Sequence, residues 1–279
     1  MRLKKMLNLR KEWWKILLIS LCGVIIWGIS RVFIFRILIP INDPPDMIAF
    51  GESFLAEKGL FNLVLIVIGM TFFSLYSVSF IYLEERLFGN KFIKGLIYGS
   101  VFFILLIGGF FEFYYFFNGT MTDAVLSFIA DGIPIFTIGI ILGLVFSTDK
   151  EIKQLRPKKN LISIIFITIF FTIARTIFYN YIYPTPLIKQ EQAFFILILY
   201  GITVGIAYYL LSQGIEITHP LKKALVFSLI LAVAWVPLNF FVTLKYNFPS
   251  ELILYLILLD LTGITLGALL NELINKNRQ

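Results

Sequence analysis

Apolar residues fill eight long segments of the chain, and short polar segments separate them. A helix needs about twenty mostly apolar residues to cross a hydrocarbon layer ~30 Å thick, and only helices and closed barrels satisfy their backbone hydrogen bonds there. The segments lack the two-residue alternation of barrel strands. The pattern therefore predicts an all-α integral membrane protein with eight transmembrane helices. Their approximate bounds are 12–39, 61–83, 93–117, 121–147, 160–183, 192–213, 221–245 and 250–272.

The two halves of the chain resemble each other. Arg31 and Arg175 each lie nine residues before a proline, Pro40 or Pro184, in an apolar and aromatic run. Further features recur in the same order: Gly69 with Gly201, KGLIYGS (94–100) with KALVFSL (223–229), the helix breakers Gly108-Gly109 with Pro237, and GIILG (139–143) with GITLG (263–267). We therefore predict two four-helix repeats, 1–150 and 151–279. An even number of helices makes the repeats parallel, related by a pseudo-twofold axis along the membrane normal.

The alignment of the last helix in each half is open. Matching the loops pairs Asp131 with Asp260, whereas matching the glycines of GIILG and GITLG shifts the register by about five residues. Small residues four apart allow close approach of helix backbones, so we expect these glycines to serve packing.

Composition and charge agree with a membrane location. The chain is 59% hydrophobic and 15% charged, well below the charged fraction of soluble proteins. If the amino terminus is inside, 18 of the Lys and Arg residues lie in inner segments and three, Lys58, Lys189 and Lys245, lie outside. The positive-inside rule then predicts a multi-pass plasma-membrane protein with both termini in the cytoplasm. The first apolar run is too long for a signal peptide, so we expect a retained helix. The net charge of +7 follows this topology and does not indicate nucleic-acid binding.

We count six ionisable residues as lying in the membrane, and assign the charged residues near the other span ends to the flanking segments. The six are Arg31, Arg36, Arg175, Glu112, Asp131 and Asp260. A charge at mid-bilayer costs at least ~2.5–3.5 kcal/mol on insertion scales, so each needs a partner or water. Counting residues from the outer ends places two arginines and two aspartates at similar depth. The sequence therefore predicts one Arg–Asp pair in each half. Arg36 lies near enough to the outer interface to snorkel, and Glu112 lies near the outer end of its span.

Three functions fit these charges. The leading interpretation is a secondary transporter or permease that binds a small solute or ion at a polar site formed by Arg31, Arg175, Asp131, Asp260 and Glu112. In the second interpretation the protein is a non-catalytic scaffold or regulatory subunit, and the pairs only hold helices together. In the third, Arg31, Arg36 and Arg175 bind an anionic lipid headgroup of the outer leaflet. The bilayer is the one partner that the sequence itself implies.

The sequence favours a role other than catalysis. Asp131 in ADGIP and Asp260 in LDLTG lack the contexts of intramembrane aspartyl proteases, and Glu84-Glu85 lacks the spacing and histidines of the EExxxR proteases. One cysteine excludes an internal disulfide, and one histidine argues against a His-based metal site. No phosphate-binding loop occurs, and we assign no metal, cofactor or catalytic residue.

Two outer segments complete the prediction. Residues 48–61 have helical spacing with one apolar face, which favours a helix lying on the outer surface or, alternatively, a lid over a cavity. Tyr179, Tyr181 and Tyr183 cluster at the outer end of the fifth span and are typical of an interfacial aromatic belt.

Overall fold

A computed structural model describes residues 2–38, 53–116, 121–148, 161–183, 190–245 and 248–276. The regular secondary structure of these residues is helical. The α-helices are α1 (Arg2–Val32), α2 (Phe54–Glu57), α3 (Phe61–Leu83), α4 (Lys91–Phe116), α5 (Met121–Phe146), α6 (Ile162–Ile177), α7 (Gln190–Leu211), α8 (Pro220–Lys245) and α9 (Ser250–Lys276). Short π-helices, Phe33–Leu38 and Phe178–Ile182, extend α1 and α6, and 3-10 turns, Glu84–Arg86 and Ser212–Gly214, follow α3 and α7.

Seven of these helices are long and apolar enough to cross a membrane: α1, α3, α4, α5, α6, α7 and α9. The prediction of a helical, polytopic membrane protein is thus confirmed. The predicted seventh span, 221–245, forms a helix of 26 residues, α8, and its membrane crossing stays a prediction. Of the predicted outer surface helix, the described part contains the single turn α2, which contacts α8. Residues 39–52 lie outside the described residues.

The long helices of the two halves pack in the same order. In the first half α1 packs on α3 and α5, and α4 packs on α5. In the second half α6 packs on α7 and α9, and α8 packs on α9. The halves meet where α4 packs on α7 and α3 packs on α8, two contacts that exchange places when the halves are exchanged.

Aromatic side chains fill the core where the halves meet. The rings of Tyr76 and Tyr98 lie 4.6 Å apart, and those of Tyr208 and Phe227 lie 4.8 Å apart, measured between centroids. The two tyrosines of the first half donate to backbone carbonyls. The hydroxyl of Tyr76 donates to Ile135, and that of Tyr98 donates to Tyr76. These hydrogen bonds satisfy the buried hydroxyl donors within an otherwise apolar core.

Small residues set the closest helix contacts, as predicted. A Cβ added at Gly95 or Gly99 would meet the backbone of α5 at Phe136, Gly139 or Gly143. The glycines of GITLG behave differently, because a Cβ at Gly263 or Gly267 would meet α6. The two glycine motifs thus face different neighbours, and their correspondence stays a prediction.

The predicted helix breakers do not interrupt their helices. α4 runs unbroken through Gly108-Gly109, and α8 runs unbroken through Pro237. A Cβ at Gly108 would overlap the ring of Tyr200 on α7. Gly108 therefore allows a ring of the second half to lie directly on a helix of the first.

Candidate functional site

Arg175 is among the most deeply buried charged residues of the described part of the chain. It lies one turn before the π-helical end of α6, and its side chain is 1% exposed. Its Nε donates to Oδ1 of Asp260 on α9 at 2.6 Å, and its Nη2 donates to Oδ2 at 2.5 Å. Such a two-pronged contact fixes both side chains and is the geometry that guanidinium and carboxylate groups favour.

Glu112 joins this pair from the other half of the chain. It lies near the end of α4, and its Oε1 accepts a hydrogen bond from Nη1 of Arg175 at 2.5 Å. The hydroxyl of Tyr179 donates to the same oxygen at 2.8 Å. All four side chains are buried. The prediction that Tyr179 belongs to an aromatic belt was wrong, whereas Tyr181 is 81% exposed at the surface.

Aromatic rings close the faces of the Arg175 guanidinium. Its central carbon lies 5.3 Å from the ring centre of Phe171 and 5.4 Å from that of Tyr200. A cation over a ring face is attracted by the ring's quadrupole, and the attraction strengthens where water is excluded. Tyr200 reaches this position over Gly108, so the close packing of α4 on α7 helps to build the site.

Arg31 and Asp131 form a simpler pair in the first half. Nε of Arg31 donates to Oδ1 of Asp131 and Nη2 donates to Oδ2, each at 2.7 Å. The indole Nε1 of Trp27 donates to Oδ1 at 2.6 Å, and the ring centre of Trp27 lies 5.3 Å from the guanidinium carbon. The side chain of Arg31 is 30% exposed and that of Asp131 is 7% exposed. This pair is therefore balanced in charge and partly open.

The local sequence around each arginine explains the common geometry. Trp27 and Phe171 lie four residues before their arginines, which places each ring on the same helix face as the guanidinium. A π-helix follows each arginine within three residues. Such local changes in helix winding are frequent at functional sites. The side chain of Arg36, on the first π-helix, lies outside the described side chains.

The predicted site residues thus fall into two groups. Arg31 pairs with Asp131, and Arg175 pairs with Asp260 and with Glu112, so the prediction of one Arg–Asp pair in each half is confirmed. Sequence reasoning placed Glu112 in the polar site without naming its partner. The contact of Tyr179 was missed, and its position four residues after Arg175 was the signal that could have found it.

Two buried ion pairs near the predicted inner surface were also missed. Lys94 is fully buried, and its Nζ lies 3.7 Å from Oε2 of Glu84. The same oxygen accepts hydrogen bonds from the backbone N–H and the hydroxyl of Thr148. Lys223 donates to Oε1 of Glu272 at 2.6 Å. Both lysines had been counted only as topology signals. Each lysine is the first residue of its motif, KGLIYGS or KALVFSL, and this shared position was the signal that the two lysines have corresponding roles.

The described residues hold no group of three or more His, Cys, Asp or Glu side chains placed to bind a metal ion. Comparison with known proteins adds no identification, since no protein family, curated protein or solved structure matches this chain.

Proposed function

We propose that this protein is a secondary transporter or permease for a small solute, with its polar site between two parallel four-helix repeats. The observation that carries the proposal is the contact of Glu112, from the first half, with Arg175 of the second half. In transporters built from repeats, substrate and coupling-ion sites lie between the repeats near the middle of the bilayer. Ionisable residues within membrane spans are also expensive and commonly functional.

Several contacts support the repeat arrangement. A Cβ added at Gly69 would meet Val24 and Trp27, and one added at Gly201 would meet Thr168. Val24 and Thr168 each lie seven residues before their arginine. The helix pairs within each half also correspond. Together with the aspartates, which take equivalent partners, these contacts favour the loop-based register of α5 and α9.

The two inner ion pairs each hold helices together within one half of the chain. Lys94–Glu84 ties the start of α4 to the end of α3, and Lys223–Glu272 ties α8 to α9. On the proposed topology, with both termini in the cytoplasm of the cell, these pairs lie on the inner side and the arginines lie toward the outer side. Because neither pair crosses from one half to the other, the halves can move apart on the inner side without separating these buried ion pairs.

A structural scaffold is the second candidate, and the enclosure of Arg175 favours it. Three nitrogens of the guanidinium donate to carboxylates, and the side chain is 1% exposed. A pair with this enclosure can hold helices together with no further role. For the remaining alternative, binding of an outer-leaflet lipid headgroup, Arg175 is turned to its own carboxylates, whereas Arg31 and Arg36 stay predictions.

Access of water to the Arg175 site separates transport from scaffolding. In a Cys22→Ser background, single cysteines replace Ile264 and Ile135, which lie one turn beyond Asp260 and Asp131 and are 1% and 4% exposed. Intact cells and inside-out vesicles are treated with a membrane-impermeant maleimide. We expect labelling of Ile264→Cys from at least one side, because an alternating site must meet water.

Two control positions make the result interpretable. The native side chain of Ile133 is 42% exposed on the side of α5 that faces away from the other helices. Ile133→Cys should therefore face lipid and stay unlabelled. Lys58→Cys, at an exposed position after α2, should react from outside. Protection of Ile264→Cys from both sides, while Lys58→Cys reacts, would overturn the transport proposal and leave the scaffold.

A further inference from the structure

The cluster around Arg175 holds more acid than base. Its charged side chains are one guanidinium, Arg175, and two carboxyl groups, Asp260 and Glu112. All three are buried. With both acids ionised the cluster would carry a net negative charge, which is costly in a dry, apolar interior. The pair of Arg31 with Asp131 brings together one charge of each sign.

The surrounding helices offer no second cation among the described residues. From α6 and its π-helix come Arg175 and Tyr179, from α7 comes Tyr200, and from α9 comes Asp260. The tyrosines are neutral donors. On α5, which also packs against α4, Asp131 is bound by Arg31. Among the groups of the described residues, only a proton can neutralise the excess acid.

The hydrogen bonds indicate which acid carries this proton. Both oxygens of Asp260 accept from Arg175, so a proton on either one would remove the negative charge that strengthens the two-pronged contact. Glu112 receives both of its hydrogen bonds on Oε1, from Arg175 and Tyr179. In the described part of the chain no group donates to its Oε2. A carboxylic acid accepts through its carbonyl oxygen and carries its proton on the other oxygen, as this arrangement requires.

We infer that Glu112 is a proton-binding site: a neutral carboxylic acid with its proton on Oε2, beside an ionised Asp260–Arg175 pair. When water reaches the site, the O–H bond of Glu112 breaks, the proton leaves to water and the carboxylate keeps the electron pair. The cluster then holds two carboxylates on one guanidinium. Reading this proton as the coupling ion of transport rests on the proposed function, whereas the proton site itself rests on the contacts alone.

Infrared spectroscopy of the unmodified sequence tests the proton directly. The protein is reconstituted in lipid bilayers at neutral pH, and the carbonyl stretch of a protonated carboxylic acid is sought above the amide I band. A second sample, made by cell-free synthesis, contains glutamate labelled with heavy carbon at its side-chain carboxyl. We expect a band of about one carboxyl group per chain that shifts to lower frequency on labelling.

A matched pair of variants assigns the band. Glu112→Gln should remove it, and Glu84→Gln should leave it in place, because Glu84 is a buried glutamate that is balanced by Lys94. Glutamine has the shape and charge of a protonated glutamic acid, so Glu112→Gln should fold normally. The absence of a band, a band that does not shift with labelled glutamate, or a band that survives in Glu112→Gln would each overturn the inference.

The spectrum and the thiol experiment fail independently. A shifting band together with a protected Ile264→Cys would keep the proton site and exclude transport through it. Labelling of Ile264→Cys without a band would keep a hydrated site and exclude Glu112 as its proton carrier. Only the combination of both positive results supports a proton-coupled transporter.

Discussion

The two arginine sites share their geometry and differ in what surrounds them. Each arginine holds an aspartate of the last helix in its half with two hydrogen bonds, and each lies four residues after an aromatic ring. In the first half Trp27, a neutral donor, gives the aspartate a further hydrogen bond, and the side chain of Arg31 is 30% exposed. In the second half the arginine contacts a second acid, Glu112 of the opposite half, and the side chain of Arg175 is 1% exposed.

This difference distinguishes a structural ion pair, in the first half, from the proposed proton-binding cluster in the second. A balanced pair needs nothing beyond its two members, and partial exposure lets water or lipid headgroups compensate when one member is lost. An enclosed cluster with an extra acid cannot be neutral without a proton. Similar local sequences therefore acquire different chemistry when a single residue from another helix reaches one of them.

The largest expected effect comes from removing both acids around Arg175. The double variant Glu112→Gln/Asp260→Asn leaves a buried guanidinium without a counter-charge, which should cost roughly 3–5 kcal/mol. Asp131→Asn should cost about half as much or less, since Arg31 is partly exposed and can reach polar surroundings. Thermal unfolding in lipid nanodiscs measures both.

Further replacement of Arg175 provides the control for that comparison. Adding Arg175→Met to the double variant removes the unpaired charge and should restore part of the lost stability, because apolar replacement of a whole buried ion cluster is often tolerated. Equal losses for Asp131→Asn and the double variant would show that the two sites are energetically alike and would break the comparison.

An intermediate effect is expected at Trp27. Trp27→Phe gives the first site the ring found at Phe171 in the second and removes the hydrogen bond from Nε1 to Asp131. A hydrogen bond to a charged group contributes about 1.5–3 kcal/mol, so the unfolding midpoint should fall. The partner variant Phe171→Leu removes a ring without removing a hydrogen bond. A drop for Phe171→Leu but none for Trp27→Phe would mean that the rings, and not the indole donor, distinguish the sites.

The smallest effect is expected for Glu112→Gln alone. If Glu112 is neutral in the folded protein, glutamine accepts the same hydrogen bonds from Arg175 and Tyr179, and stability should change by less than about 0.5 kcal/mol. Asp260→Asn alone should cost clearly more, because it removes the ionised acid that holds two nitrogens of Arg175. The reverse order of the two single variants would place the proton on Asp260.

The sequence by itself determined the membrane architecture and the paired charges. Long apolar segments can satisfy their backbone in lipid as helices, and among the described residues seven of the predicted spans appear as helices suited to a membrane. Depth along a helix is a matter of residue count, and an unpaired charge in lipid is costly. The contacts of Arg31 with Asp131 and of Arg175 with Asp260 were predictable for these reasons.

Tertiary structure decided what depends on the rotation and neighbours of each helix. It gave two similar glycine motifs different neighbours, since Gly139 faces α4 whereas Gly263 faces α6. It also brought Glu112 to Arg175 and turned the hydroxyl of Tyr179 inward. A uniformly apolar helix shows in its sequence how deep a residue lies but not which neighbour it faces, and the neighbour is what distinguishes the two sites.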